Sequence, residues 1–112
     1  MSTDALSLTF SALADPTRRS ILARLTQGEA SVNELAEPFD ISLPSVSRHL
    51  KVLERAGLVS KSRSAQWRPC RLETKQLAVA DEWLAPYREF FETRFDRLEE
   101  HLKTMVDKEK NQ

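Results

Sequence analysis

The segment from Ser42 to Val59, SLPSVSRHLKVLERAGLV, constrains the chain more than any other, because as a helix it has two faces of opposite character. At about 100° per residue, Val46, Leu50 and Leu53 fall within one narrow arc, while Ser47, Lys51, Arg55 and Arg48 gather on the side away from it. One face is suited to packing and the other is cationic. Ser42 is a residue type that caps a helix start, and Pro44 sits in the first turn, where its missing N–H costs little. Gly57 supplies the left-handed residue that ends a helix.

Upstream, Leu6, Phe10 and Leu13 recur at helical spacing and predict a short first helix before Asp15-Pro16, which reads as an N-cap followed by proline at the first helical position. The second helix then carries Ile21, Leu22 and Leu25 on one side and stops at Gly28. Ser31 and Glu34 form a capping box ahead of Leu35 and Ala36, marking a short third helix that Pro38 ends or distorts. A tight turn of three or four residues through Phe39, Asp40 and Ile41 leads to Ser42.

After Gly57 the pattern changes to two short segments, LVSKS and QWRPCRLE, separated by the polar tip RSA, which predicts a hairpin. Pro69 cannot donate to a ladder and belongs at an edge or bulge of it. From Thr74 the chain is expected to be helical again, with an interruption at Pro86 and a frayed polar end past Asp107. Within that stretch Tyr87, Phe91, Phe95, Leu98, Leu102 and Met105 alternate in steps of three and four residues, the spacing of a helix-packing seam.

At 112 residues the chain has room for one hydrophobic core and is expected to form a single domain. That interior is small for Trp83, Tyr87, Phe90, Phe91 and Phe95, so the seam is expected to be covered by a partner chain. No apolar run approaches the roughly 20 residues that span a bilayer, and MSTDALSLTF lacks the pattern of a secretory signal, so the expected location is cytoplasmic with no membrane partner. Cys70 is the only cysteine, which agrees with a reducing compartment. The net charge is zero, but its distribution is uneven. From Ser42 to Lys75 eight basic residues face two acidic ones, a net +6, whereas from Gln76 to Gln112 nine acidic residues face six basic ones, a net −3. The middle is suited to meeting phosphate and the tail to another task.

Two helices joined by a short turn, the second basic on its outer face and followed by a basic hairpin, describe a winged helix-turn-helix. DPTRRSILARL, ISLPSVSRHLKVLERAGLV and WLAPYREFFETRFDRLEEHL together resemble the ArsR/SmtB family of bacterial winged-helix repressors, over nearly the whole chain from about Leu6 to Met105. VSRHLKVLERAGLV is the most specific part of that likeness. The resemblance implies a homodimer that binds an inverted repeat in double-stranded DNA and blocks transcription, its first and last helices forming the dimer interface. The expected fold is therefore mainly α with a small β-hairpin, five to six helices and a two-stranded wing. The DNA-binding core spans about residues 15–75 with the wing at 58–73, and residues 1–14 and 76–108 supply dimerisation helices.

The residues expected to contact DNA are Ser42, Ser45, Ser47, Arg48, His49, Lys51 and Arg55 on the helix, with Arg63 and Arg68 in the wing. Ser45, Ser47 and Arg48 lie nearest the helix N-terminus, where N–H groups favour phosphate, and Arg48 is the candidate for a bidentate guanine contact. Lys51 and Arg55 are assigned to the DNA backbone, and Lys61 is a weaker case. His49 interrupts the buried arc, and a half-buried histidine is more often packed and hydrogen-bonded than a switch. Arg18 and Arg19 either assist DNA-backbone contacts or pair with acidic neighbours. The dimer residues are expected to be Leu6, Phe10, Leu84, Tyr87, Phe91, Phe95, Leu98, Leu102 and Met105.

Two departures bear on the resemblance. Asp40 stands where glycine is common, and aspartate can take a left-handed turn. Pro69 and Cys70 stand where aromatic residues are frequent in related wings. Cys70 is read as a small packed residue, the alternative being a thiol activated by Arg68 and Arg71.

Metal sensing is common in that family, so the ligand positions matter. The family's thiolate site places cysteines two apart after a Glu-Leu pair, whereas here Glu34-Leu35 is followed by Ala36-Glu37-Pro38. The family's site on the last helix uses aspartate, histidines and glutamate shared across the dimer, whereas this chain offers only His101 with Asp96, Glu99 and Glu100 nearby. No metal or cofactor is expected. With glycine only at 28 and 57 there is no phosphate-binding loop, and no nucleophile elbow exists, so an enzyme is not expected. The rival functions are a metal-responsive repressor of the same fold and a winged-helix protein-interaction scaffold. The sequence names no inducer.

Overall fold

Cap chemistry divides the first half of the chain into four helices in the computed structural model, which describes residues 4–62 and 68–110. Asp4 caps α1 (Ala5–Leu13), Asp15 caps α2 (Pro16–Leu25), Ser31 caps α3 (Val32–Ala36) and Ser42 caps α4 (Leu43–Arg55), each side chain accepting a backbone N–H from the first turn. The capping box is complete: Glu34 N–H donates to Ser31 Oγ at 3.2 Å and Ser31 N–H to Glu34 Oε1 at 3.3 Å. Gly57 ends α4 with φ +77°, and a Cβ there would stand 3.1 Å from Gln76 Cγ, so both backbone and space call for glycine.

Between Glu37, the C-cap of α3, and Ser42, the N-cap of α4, the turn runs over residues 38–41. Pro38 cannot extend the α3 ladder, and Phe39 N–H closes the turn on Ala36 O at 2.9 Å instead. Asp40 does not take the left-handed conformation anticipated for it, since no non-glycine residue described has positive φ.

Strands β1 (Val59–Lys61) and β2 (Cys70–Leu72) pair antiparallel, with Val59 opposite Leu72 and Lys61 opposite Cys70. Pro69 precedes β2 and uses only its carbonyl, which accepts from Ser62 N–H at 3.0 Å. The hairpin is not a lone pair: Ala30 bridges β2 from the other side, donating to Cys70 O at 3.1 Å and accepting from Cys70 N–H at 2.7 Å. The expected tip RSA and Arg63 lie outside the described residues.

Helix α5 (Lys75–Lys110) is continuous, which corrects the expected interruption at Pro86; the last two residues of the stretch expected to fray past Asp107 lie outside the described residues. A proline inside a helix removes one donor and costs about 3 kcal/mol. Near Pro86, Arg88 makes a 3.0 Å ion pair with Asp81 and donates to Asp81 O at 3.4 Å. Two compact units make up the fold, residues 1–80 and residues 81–112.

The core of the first unit gathers Ile21, Leu22 and Leu25 of α2, Leu35 of α3, Val46, Leu50 and Leu53 of α4, and Leu58, Val59 and Cys70 of the wing base. Each fully buried aliphatic side chain contributes about 1.5–3 kcal/mol relative to exposure. Cys70 has no solvent exposure, and burial pushes its thiol above the ordinary range, Lys61 opposing and Glu54 adding to the shift. This favours the packed-residue reading over an activated thiol.

Two outcomes follow from this core. Leu50→Ala should lower unfolding free energy by about 2–5 kcal/mol, seen as a drop in denaturant midpoint at unchanged slope. Iodoacetamide should modify Cys70 only as fast as the chain unfolds, so rapid alkylation of the native protein would contradict its burial.

Candidate nucleic-acid interface

Burial of Val46, Leu50 and Leu53 turns the opposite face of α4 outward, where Arg48, Lys51 and Arg55 are exposed. Ser42 Oγ accepts from Ser45 N–H at 3.3 Å and donates to Ser45 Oγ at 3.0 Å, and Arg48 Nη2 donates to the same Ser45 Oγ at 3.0 Å. A polar chain therefore runs along the first two turns, with the Arg48 guanidinium held toward the helix N-terminus. Ser47 is half-buried at the edge of the same face. Among the described residues Lys51 and Arg55 make no ion pair, so both ammonium and guanidinium are free for another anion.

The remaining bases of the middle segment divide differently. Lys61 pairs with Glu54 at 3.3 Å, and Arg71 stands 3.7 Å from both Glu29 and Glu73. Arg68 is exposed at the wing base, around a recess shared with Glu54, Lys61 and Ser62. The net +6 thus overstates the charge available to a ligand, and the cationic surface concentrates on α4.

His49 is half-buried, and its ring engages α2 rather than the face that carries Lys51 and Arg55. Its Nδ1 lies 3.3 Å from Arg18 Nη1 and 3.8 Å from Asp15 Oδ2. The Asp15 carboxyl is held below the ordinary carboxylate range, chiefly by the N–H of Arg18 and further by the positive charge of the Arg18 guanidinium. The Arg18 side chain donates to Ala12 O and Ser11 O, and Arg19 to Leu13 O, all at the C-terminal end of α1. Periodicity carries no signal for such contacts, which join separate helices.

Of the expected dimer residues, Leu6 and Phe10 are half-buried on α1. In the unit formed by residues 81–112, Leu84, Tyr87, Phe91, Phe95, Leu98, Leu102 and Met105 are all exposed, Phe95 to 65%. Phe90 joins them, with the Arg94 guanidinium 4.3 Å above its ring. Ala36 and Pro38 offer no ligating atom, and among the described residues no three His, Cys, Asp or Glu side chains converge.

A core-backed helix with an outward cationic face, preceded by a short helix and turn and followed by a hairpin, is the arrangement of a winged helix-turn-helix protein. The helix-turn-helix domain family matches residues 13–61. The transcriptional repressor SdpR of Bacillus subtilis (strain 168) is 40% identical over 75 residues, covering 67% of this chain and 83% of that protein. The crystal structure of an ArsR family transcriptional regulator is 42% identical, with a TM-score of 0.72 over 80% of this chain and 98% of that one. A homodimeric winged helix-turn-helix DNA-binding domain from Mycobacterium bovis, solved by NMR, is 26% identical with a TM-score of 0.62 over 80% and 84% of the two chains. The chain belongs to the ArsR/SmtB family of winged helix-turn-helix transcriptional regulators, and it is not an enzyme.

Proposed function

We propose that this protein is a homodimeric repressor that reads an inverted repeat in double-stranded DNA with α4. The observation that carries the reading is the exposed trio Arg48, Lys51 and Arg55 opposite a fully buried apolar arc. An α-helix of this kind fits the major groove, and its N-terminal residues meet base edges while later ones meet phosphates. Arg48 is the base-reading residue in this assignment, Ser42, Ser45 and Ser47 accompany it, and Lys51 and Arg55 neutralise backbone charge. Arg68 supplies a flanking contact from the wing, as does Arg63 on the sequence reading.

The homodimer rests on two supports. The M. bovis neighbour is a homodimer. The apolar row from Leu84 to Met105 is exposed in this chain, and a second copy would remove it from water. Inverted-repeat recognition follows, because two-fold symmetry presents two copies of α4 to half-sites about one helical turn apart.

Selection from a randomised duplex pool with the purified chain tests the reading, and it should return an inverted repeat. Arg48→Ala should then cost about 1–3 kcal/mol at one position of each half-site, seen as lost discrimination there. Lys51→Ala should instead weaken all duplexes alike and reduce the slope of log affinity against log salt by about one. A chain that selects no duplex would favour the scaffold reading, and stoichiometric zinc that releases DNA would favour the metal-responsive one. Phe95→Asp should convert a dimer to a monomer in sedimentation and weaken duplex binding by at least about tenfold, because an unpaired carboxylate is costly to bury.

A further inference from the structure

Arg18 is half-buried near the start of α2, and its guanidinium reaches two other helices at once. Nε donates to Ala12 O at 2.7 Å, Nη2 donates to Ser11 O at 3.1 Å, and Nη1 lies 3.3 Å from His49 Nδ1. A guanidinium has donors and no acceptor, so Nδ1 is the unprotonated, accepting nitrogen in this pair. The Asp15 carboxylate, 3.8 Å from the same nitrogen, is too far to compete for a hydrogen bond and instead accepts Arg18 N–H at 3.0 Å. One planar fork therefore ties the last carbonyls of α1 to the middle of α4.

His49 is the place on α4 where such a tie matters. It is adjacent to Arg48 in the chain and one turn beyond Ser45, to which Arg48 is bonded. On the other side of the fork, α1 carries Leu6 and Phe10, assigned above to the dimer face. The apolar core can hold α4 down, but apolar packing is non-directional and does not by itself set the rotation and slide of a helix. Two directional bonds to carbonyls and one to an imidazole do.

We propose that Arg18 is a positioning residue for DNA recognition, acting through His49 to set the first turns of α4 relative to α1. The proposal rests on the reading of α4 as the DNA-reading helix. Neither residue touches DNA in this account. Arg18→Lys keeps the charge but loses the fork, because an ammonium cannot span three acceptors in a plane. His49→Phe keeps a ring without an acceptor, and His49→Asn restores an acceptor near the position of Nδ1.

The experiment measures affinity of the full-length chain and these variants for the duplex selected by the wild type, together with dimer mass and thermal midpoint. Arg18→Lys and His49→Phe should each weaken binding by about tenfold, the scale of one part-buried charge-assisted hydrogen bond. The double variant should be no weaker than the weaker single one. His49→Asn should bind within about threefold of the wild type, and every variant should keep the wild-type salt slope, since no phosphate contact is lost. Additive losses in the double variant, a reduced salt slope, or wild-type binding by His49→Phe would overturn the link while leaving the DNA reading intact. Should Arg18→Lys fail to fold, the contrast between Phe and Asn at position 49 still decides. A wild-type chain that selects no duplex would overturn both proposals.

Discussion

Val46, Leu50 and Leu53 lose all solvent exposure against Ile21, Leu35 and Leu58, and the orientation of everything else on α4 depends on that contact. A helix has no freedom to present its outer residues independently of its inner ones, because 100° per residue is imposed by the backbone. Burying this arc therefore exposes Arg48, Lys51 and Arg55 as a consequence of the same packing. Stability and surface chemistry are coupled here through geometry alone. A substitution that rotated the arc would move the cationic face with it, even with every surface residue unchanged.

The charged residues around the core differ in what they have left to offer. Lys61 and Arg71 face Glu54, Glu29 and Glu73 at the wing, where exposed pairs contribute little to stability but occupy the cation. Arg18 and Arg19 turn to the carbonyls at the end of α1, where the negative end of the helix dipole makes cations favourable. What remains uncompensated is concentrated on α4. A composition count from Ser42 to Lys75 cannot make that distinction, since it adds residues that the fold has already paired.

The same contrast explains how far the sequence could be read. Helix ends depend on residues three or four apart, so Asp15, Ser31, Ser42 and Gly57 marked boundaries that the structure has. Capping by Asp4 is equally local and was legible in kind, though the first helix was read from its apolar spacing alone. Pro86 misled because its cost, about 3 kcal/mol, is a penalty and not a prohibition, and a long helix can carry it. The Ala30 bridge to Cys70 and the Arg18 fork to His49 join residues far apart in the chain, so no spacing announced them. For the candidate site the outward set on α4 followed from periodicity, whereas the engagement of His49 with α2 needed the third dimension.

The uneven charge bears on selectivity as well as affinity. A chain basic throughout would adhere to any duplex, because phosphate neutralisation is blind to sequence. Here the whole chain is neutral and the excess positive charge sits between Ser42 and Lys75, so on the proposed reading non-specific adhesion would be limited while the α4 face stays attractive. Limited adhesion has a counterpart: on the proposed reading one such head, with one base-reading arginine, would discriminate by about 1–3 kcal/mol per contact. Competition from about 10⁶ to 10⁹ non-specific sites demands roughly 8–12 kcal/mol, beyond what one such helix supplies. Two heads held together add their contacts on one duplex, the second binding at high effective concentration. On the proposed reading, the exposed aromatic row of residues 81–112 and the sparse, oriented cations of α4 are therefore complementary parts of one solution, in which dimerisation supplies the selectivity that a nearly neutral single head lacks.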